Sequence, residues 1–278
     1  MSRATPVALT IAGSDSGGGA GIQADLKAFA ARGVHGTSAI TAVTAQNTVG
    51  VSAIHAIPPE IVLAQIRAVA QDIGVDAVKI GMLGDRATIE AVAAALEELS
   101  PQVPVVVDPV MVAESGARLL QEDARDALIS SIVPRASVLT PNLPEARALL
   151  GAEPSSGADA AEAAELARAL LGLGPSAVVL TGGHREQATD LLLRRGESEP
   201  VEIAGARHPD GAAHGSGCTH AAALAAGLAL GEDLEQAARN ARALAGEAVR
   251  RGLRELGAGP GPVDAIGLAE RRRGAPGA

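Results

Sequence analysis

Aromatic side chains are almost absent from this 278-residue chain, which has no tryptophan, no tyrosine and one phenylalanine, Phe29. Proteins that bind single-stranded nucleic acids stack bases on aromatic side chains, so the composition argues against that class. A net charge of −9 argues against a surface that follows a phosphate backbone, because such surfaces are rich in Lys and Arg. The sequence therefore predicts no nucleic-acid partner.

Cysteine and lysine are also scarce. The single cysteine, Cys218, excludes an intramolecular disulfide and any zinc site built from several cysteines. Lys27 and Lys79 are the only lysines among 23 basic residues, so a catalytic lysine has two candidates.

Long hydrophobic runs are missing as well: none reaches the 18 to 20 residues or so that a membrane helix needs. The N-terminus leads directly into the apolar segment Val7–Ile11, without the basic region, apolar stretch and cleavage site of a signal peptide. We therefore expect a cytoplasmic protein with no membrane partner.

Short β-branched segments alternate with longer Ala- and Leu-rich amphipathic segments along most of the chain. This alternation is typical of a three-layer α/β/α domain with a mostly parallel central sheet. The predicted strands are Val7–Ala12, Ser38–Thr44, Ala77–Ile80, Val103–Val107, Val138–Thr140 and Ala177–Thr181. The predicted helices are Gly21–Ala31, Pro59–Gln71, Arg86–Leu99, Glu122–Ile132, Leu143–Leu150 and Asp159–Leu171, followed by two helices between Gly215 and Leu256 that are separated at Gly231.

Two segments depart from the alternation. Ser38–Ile57 contains two strand-like runs with no helix between them, and Thr189–Ala206 has the pattern of a hairpin. Each is either an ordinary antiparallel edge of the sheet or a lid over a ligand. We find no repeat and no linker, so residues 1–265 are predicted to form a single domain and residues 266–278 a flexible tail.

The glycine-rich segment of residues 12–21 follows the first predicted strand and precedes a helix. Turns of this composition let backbone amides approach an anion or a flat ligand closely. The segment lacks the lysine of a P-loop, and no acidic residue follows about 20 positions on, as a dinucleotide fingerprint requires. A binding loop and a plain tight turn both remain open; Asp25, in the helix that follows, faces this loop.

A second glycine-containing segment, His214–Thr219, opens a helix of small residues. Cys218 lies in the first turn of that helix, where the positive potential of the N-terminus lowers a thiol pKa toward neutrality and suits a proton acceptor. The neighbouring amides could stabilise charge on a transferring phosphoryl group. The alternative is an inert cysteine that packs as a small hydrophobic side chain.

Polar residues also lie at the carboxyl ends of other predicted strands, at Lys79, Asp108, Asn142–Glu145 and Thr181. Because ligands bind outside the carboxyl ends of the strands in open α/β sheets, we expect these residues to share one rim. Asp108 and Glu145 offer the oxygen ligands that magnesium prefers. The alternative for Glu145 is a carboxylate that stabilises the start of a helix.

Five of these segments carry a resemblance to a known family. They are TIAGSDSGGGAGIQADL (Thr10–Leu26), TAQN (Thr44–Asn47), KIGML (Lys79–Leu83), LTPNLPE (Leu139–Glu145) and HGSGCT (His214–Thr219). In this set and order the chain resembles the hydroxymethylpyrimidine/phosphomethylpyrimidine kinases of the ribokinase superfamily. The resemblance implies a ribokinase-like fold, ATP as phosphoryl donor, Mg²⁺ and a homodimer. It also implies phosphorylation of 4-amino-5-hydroxymethyl-2-methylpyrimidine, and then of its monophosphate, in thiamine biosynthesis.

The resemblance further implies a role for each matching residue. Cys218 would take the hydroxyl proton while the amides of Gly215, Ser216, Gly217 and Cys218 hold the anion. Asp108 and Glu145 would lie beside magnesium. The pyrimidine would contact Gly13, Asp25, Thr44, Gln46, Met82 and Val110, and ATP would contact Asn142, Thr181 and Gly183. Thr181 stands where many relatives carry a lysine, so one positive charge near the phosphates is missing.

Two other functions remain open from the sequence. A pyridoxine or pyridoxal kinase of the same superfamily would act on another flat heteroaromatic alcohol, although the amide of Gln46 favours an aminopyrimidine. A non-catalytic pyrimidine-binding sensor would use the same fold, but Cys218, Asn142 and Glu145 are all in place.

Overall fold

The computed structural model describes residues 5–112, 116, 119–121, 123–153, 159–182 and 188–273. Within these residues nine strands form one sheet. The strands are β1 (Val7–Asp15), β2 (His35–Gln46), β3 (Val51–Ala56), β4 (Ala77–Ile80), β5 (Val105–Val107), β6 (Val138–Leu139), β7 (Ala177–Leu180), β8 (Asp190–Arg194) and β9 (Val201–Ile203). The helices are α1 (Gly21–Ala31), α2 (Pro59–Ala68), α3 (Arg86–Glu98), α4 (Ala124–Ala127), α5 (Leu143–Leu150), α6 (Ala160–Leu171), α7 (Ser216–Ala229), α8 (Leu234–Arg250) and α9 (Leu268–Arg273).

The sheet has the order β3-β2-β1-β4-β5-β6-β7-β8-β9. The neighbours from β2 to β7 are parallel, whereas β3, β8 and β9 pair antiparallel at the two edges. The mostly parallel sheet predicted from the sequence is thus confirmed. Both predicted hairpins are present, and each forms one edge of the sheet.

Hydrophobic side chains are buried on both faces of the sheet, as parallel strands require. In β1, Leu9 belongs to a core shared with α2 to α6, while its neighbour Ala8 belongs to a core shared with α1, α7 and α8. Successive residues of a strand point to opposite faces of the sheet. Because Ala8 and Leu9 belong to different cores, helices cover both faces and the domain has three layers.

Helix starts follow the local sequence closely. The Asp159 carboxylate accepts a hydrogen bond from the Glu162 amide at 2.8 Å, so Asp159 is the N-cap of α6, the helix predicted to begin at this residue. Asn142 and Glu145 form a reciprocal capping box at the start of α5, so this helix has the predicted bounds. The helix predicted over residues 122–132 is instead the short α4, continued by the π-helical turn Leu128–Ile132.

The chain after α8 differs from the sequence prediction. Helix α8 ends at Arg250, and residues 251–265 form turns that return across the molecule, so the helix predicted to continue to Leu256 is wrong there. Gly259 donates from its amide to Thr48 Oγ1 at 3.2 Å, and Val263 donates to the His214 carbonyl at 3.1 Å. Helix α9 lies inside the segment predicted as a flexible tail.

Among the described residues, each helix is too short or too polar to span a lipid bilayer.

Candidate active site

Strands β1, β2 and β4 to β7 run in parallel, so their carboxyl ends meet at one rim of the sheet. Gln46 ends β2, Asp108 follows β5, Thr181 follows β7, and the N-terminus of α7 carries Cys218. Charge interactions couple Cys218 with Asp108, and Asp108 in turn with Glu145. The structure therefore brings the predicted transfer and metal residues together, as the strand-end positions suggest.

The glycine-rich segment is a tightly held loop between β1 and α1. The Asp15 carboxylate accepts hydrogen bonds from the amides of Gly17 at 2.8 Å, Gly19 at 3.0 Å and Ala20 at 2.8 Å. His214 Nε2 lies 3.1 Å from the same carboxylate. Burial raises the pKa of Asp15, but these hydrogen bonds outweigh it and hold the pKa below its usual range.

The start of α7 packs directly against this loop. Gly215 has φ +86°, and a Cβ there would lie 1.7 Å from the Gly19 carbonyl oxygen, so glycine is required for both reasons. The Ser216 amide already donates to the Ala213 carbonyl at 2.9 Å. Of the amides predicted to hold an anion, those of Gly217 and Cys218 are therefore the better placed, since N–H groups of a first turn have no helical acceptor.

Cys218 has the location that the sequence predicts but not the predicted acidity. Burial raises the pKa of its thiol to about 12, opposed by the positive charge of Lys79 and reinforced by the negative charges of Asp108 and Asp25. The expectation of a pKa lowered toward neutrality is therefore wrong. Loss of water around the thiol and the two nearby carboxylates outweigh the helix N-terminus.

Lys79 is a buried residue of the site that sequence reasoning left without a role. Its side chain is fully buried, with Nζ 3.0 Å from Asp25 Oδ1 and 3.6 Å from Asp108 Oδ2. Burial alone would lower the pKa of Lys79, but Asp25, Cys218 and Asp108 raise it above its usual value, so the side chain carries a positive charge. The sequence signal that could have identified this role is the position of a lysine near the end of an otherwise apolar strand.

Asp25 was predicted to contact the pyrimidine, and the structure places it beneath the rim. It is completely buried, and it accepts a hydrogen bond from Thr10 Oγ1 at 2.6 Å in addition to the ion pair with Lys79. In this arrangement Asp25 neutralises Lys79 below the pocket. Its contact with a ligand stays a prediction.

Gln46 lies in a cavity of about 240 Å³ at the rim. The Thr44 hydroxyl lies 3.2 Å from Gln46 Oε1 and 2.9 Å from the Ser14 carbonyl oxygen, and it thereby orients the amide. Ser16 Oγ bridges the backbone N–H and C=O of Gln46. The cavity is lined by Gln46, Asn47, Thr48, Val49, His214, Gly259 and Pro260.

The other predicted pyrimidine contacts are not part of that lining. Gly13 packs against Met82, since a Cβ on Gly13 would lie 2.3 Å from Met82 Cε. Val110 is half-buried after β5. A larger groove of about 490 Å³ lies between α6 and the β8–β9 hairpin, and none of the predicted site residues lines it.

The residues predicted to bind ATP lie on neighbouring loops. Asn142 accepts from the Glu145 amide at 2.9 Å, and Thr181 donates from its amide to the Pro141 carbonyl at 2.9 Å. Gly183 lies outside the described residues.

The loop after β7 is tied to α7 by Asp190, which accepts from the Gly182 amide at 2.8 Å and lies 3.0 Å from His220 Nε2. Asp190 and His220 escaped sequence reasoning because they are 30 residues apart.

Asp108 and Glu145 form a site whose negative charge is only partly balanced, by Lys79 Nζ at 3.6 Å from Asp108 Oδ2. Asp108 Oδ2 is buried without a hydrogen-bond partner. Burial and the negative charge of Asp108 raise the pKa of Glu145 to about 8. In the described part of the chain no group of three or more His, Cys, Asp or Glu side chains could hold a metal. Two carboxylates nevertheless fit magnesium, which usually takes one or two of them together with phosphates and water.

Comparisons with known proteins point to one family of enzymes. A family model described as phosphomethylpyrimidine kinase matches residues 15–264. The hydroxymethylpyrimidine/phosphomethylpyrimidine kinase of Rhizobium meliloti is 49% identical over 262 residues, which cover 93% of this chain and 96% of that relative.

Solved structures extend the comparison to the fold. A phosphomethylpyrimidine kinase from Clostridium difficile matches with a TM-score of 0.74 and 38% identity, over 86% of this chain and 96% of that one. A pyridoxal kinase from Staphylococcus aureus in complex with ADP matches with a TM-score of 0.85 and 32% identity, over 97% and 96%. The fold is thus ribokinase-like and common to both kinds of kinase. The family model and the identity to the Rhizobium protein decide between them: the chain belongs to the phosphomethylpyrimidine kinase family.

Proposed function

We propose that the chain transfers the γ-phosphoryl group of ATP to 4-amino-5-hydroxymethyl-2-methylpyrimidine and then to the resulting monophosphate, in thiamine biosynthesis. The observation that carries the proposal is that the Gln46 cavity adjoins the start of α7. His214 lines the Gln46 cavity and immediately precedes the first turn of α7. A ring held at Gln46 would therefore present its hydroxymethyl group to the amides of Gly217 and Cys218.

Gln46 suits an aminopyrimidine because its amide offers one acceptor and two donor hydrogens. The single hydrogen of the Thr44 hydroxyl is shared between the Ser14 carbonyl and Gln46 Oε1, so this hydroxyl orients the amide, and the NH₂ group and the second lone pair of Oε1 can pair with the ring. No aromatic residue is needed for stacking, since the thioether of Met82 and the side chain of Val110 offer apolar surface beside the rim.

In the first step the hydroxyl oxygen forms a bond to the γ-phosphorus, and the bond from that phosphorus to the bridging oxygen of ADP breaks. The hydroxyl proton passes to the Cys218 thiolate, and the amides of Gly217 and Cys218 hold the negative charge. A magnesium ion beside Asp108 and Glu145 would neutralise phosphate charge when bound. Lys79 provides a fixed positive charge below these groups.

In the second step the acceptor is a phosphate, which is already largely ionised near neutral pH. Proton removal is then unnecessary, and Cys218 contributes only by position. The same residues can serve both reactions if the acceptor moves outward by the length of one phosphoryl group.

A pyridoxal kinase is the second candidate, because the solved pyridoxal kinase superposes on this chain with the higher TM-score. Overlap of folds does not select a substrate, however, since one fold hosts many activities. The higher sequence identities and the Gln46 cavity favour the pyrimidine. The non-catalytic sensor has no support in the family model or in the relatives described above, all of which are named as kinases.

The test is to follow each reaction by ³¹P NMR with ATP and magnesium. The acceptors are the pyrimidine alcohol, its monophosphate and pyridoxal, in separate samples, with ATP alone as control. We expect both pyrimidine acceptors to be phosphorylated with a higher kcat/KM than pyridoxal. A higher kcat/KM for pyridoxal would overturn the pyrimidine assignment, and loss of ATP without a phosphorylated acceptor would overturn both.

The resemblance to the family also leads us to infer a cytoplasmic homodimer. Light scattering coupled to gel filtration at micromolar concentration would give twice the 27.6 kDa chain mass for a dimer. A monomer mass would contradict it.

A further inference from the structure

The glycine-rich loop and the start of α7 come from opposite ends of the chain, yet one pair of side chains joins them. His214 Nε2 lies 3.1 Å from Asp15 Oδ2 across 199 residues of sequence. Asp15 is 2% exposed and His214 is 12% exposed, so the pair is shielded from water on most sides. An interaction so shielded is screened little by salt.

Asp15 is also the residue that shapes the loop. Three loop amides converge on its carboxylate, those of Gly17, Gly19 and Ala20. A change in the position of Asp15 therefore moves the whole loop. His214 is the only described side chain outside the loop and α1 that is bonded to this carboxylate, and it comes from the segment that opens α7.

The fit between the two segments is close. A Cβ on Gly19 would lie 2.2 Å from His214 Cδ2, and a Cβ on Gly215 would lie 1.7 Å from the Gly19 carbonyl oxygen. Behind His214, the Val263 amide donates to its carbonyl oxygen at 3.1 Å. The imidazole is therefore held between the loop and the segment that returns after α8.

The consequence reaches Cys218. Burial raises the pKa of the Cys218 thiol, whereas the backbone amide of Gly21, at the end of the loop, lowers it, so this amide lies near the sulfur. The loop must rest on α7 for the site to keep its geometry. Only then are the distances fixed between the Cys218 sulfur, the amides of the first turn of α7 and the Gln46 cavity. An error of about 1 Å in such an arrangement can reduce a rate about 100-fold.

We propose that His214 is a positioning residue: through Asp15 it holds the glycine-rich loop against the start of α7 and so aligns the acceptor with Cys218. This inference rests on the proposed function. The imidazole does not touch the transferring group, and its contribution is the hydrogen bond from Nε2.

A matched pair of variants isolates that bond. His214→Gln keeps an N–H donor at the place of Nε2, whereas His214→Asn has the same amide on a chain one methylene shorter and cannot reach Asp15. We expect His214→Asn to lower kcat by about 10- to 100-fold with unchanged affinity for ADP, and His214→Gln to retain most of the activity. His35→Asn, at the opposite end of β2, is the control and should behave as the parent chain.

The single cysteine gives a second measurement that needs no catalysis. Alkylation of Cys218 by iodoacetamide should be faster in His214→Asn than in the parent or in His214→Gln, because the loop no longer covers the sulfur. In the background of Asp15→Asn, the His214→Asn change should add little further loss, since both act through one contact.

The outcomes separate this proposal from the function itself. Equal kcat and equal alkylation in the Gln and Asn variants would overturn the positioning role even in a fully active enzyme. A parent chain without kinase activity would overturn the proposed function, while the alkylation rates would still decide whether His214 holds the loop. A lower affinity for ADP in both variants, with unchanged kcat, would move the role of His214 to nucleotide binding and overturn the proposal.

Discussion

The pH dependence of the first phosphorylation tests whether Cys218 acts as the base. With a thiol pKa of about 12, only about one chain in 30,000 carries the thiolate at pH 7.5. The thiol is neutral below its pKa and ionised above it, so each added pH unit multiplies the reactive fraction by about ten. The rate of the first step should therefore rise about 100-fold between pH 7 and pH 9.

The second step supplies an internal control in the same enzyme. Its acceptor phosphate loses its last proton near pH 6, so above pH 7 the rate should be almost independent of pH. Quenched-flow or NMR measurement of each half-reaction, with saturating ATP and magnesium, gives the two profiles separately. Any effect of pH on folding or on nucleotide binding would appear in both.

Two substitutions complete the test. Cys218→Ala should slow the first step by about 10²- to 10⁴-fold and flatten its profile, with a smaller loss in the second step. Cys218→Ser retains a small polar side chain of nearly the same shape but provides no thiolate, so it should behave as Cys218→Ala does. A flat profile in the parent chain, or a serine variant with full first-step activity, would refute the base and leave Cys218 with a positional role.

Three further substitutions test other parts of the site. Gln46→Leu should weaken pyrimidine binding by about 1 to 3 kcal/mol in calorimetry, because the ring loses its polar partner; unchanged binding would remove Gln46 from the pocket. Glu145 has a pKa of about 8 when folded against an ordinary 4.5, so the stability of the magnesium-free protein should fall as pH rises through that window. Glu145→Gln should reduce this slope in thermal unfolding and raise the magnesium requirement, while burial, which also raises the pKa of Asp25 and of Asp108, accounts for the remainder; an unchanged slope would contradict the assignment. Lys79→Met leaves Asp25 and Asp108 buried without a cation and should destabilise folding by about 3 to 5 kcal/mol in urea titrations, whereas a neutral effect would show that the two carboxyls are protonated.

Much of the architecture follows from local sequence alone. Continuous apolar segments such as Val105–Val107 predict strands buried on both faces, and the structure confirms them. Helix α5 has its predicted bounds because Asn142 and Glu145, three residues apart, cap it without help from the rest of the chain. Strand ends carry polar residues, and parallel order alone is enough to place those ends at one rim.

The structure differs from the sequence predictions where segments that are far apart in the chain come into contact. The end of α8 at Arg250 is set by the return of residues 251–265 to Thr48 and His214, which no local pattern reports. The acidity of Cys218 is the clearest case. Its neighbours along the chain favour the thiolate, but burial, followed by the charges of Asp108 and Asp25 from other elements of the fold, favours the thiol.

The amino-acid sequence by itself thus determined the layers, the mostly parallel sheet and the residue types available for catalysis, because these depend on periodicity and on contacts within a few residues. Only the tertiary structure decided the charge state of Cys218, the burial of Lys79 between two carboxylates and the bridge from Asp15 to His214. Desolvation and Coulomb interactions depend on how close groups are in space. The sequence does not report that closeness for residues such as Asp15 and His214, which are 199 positions apart.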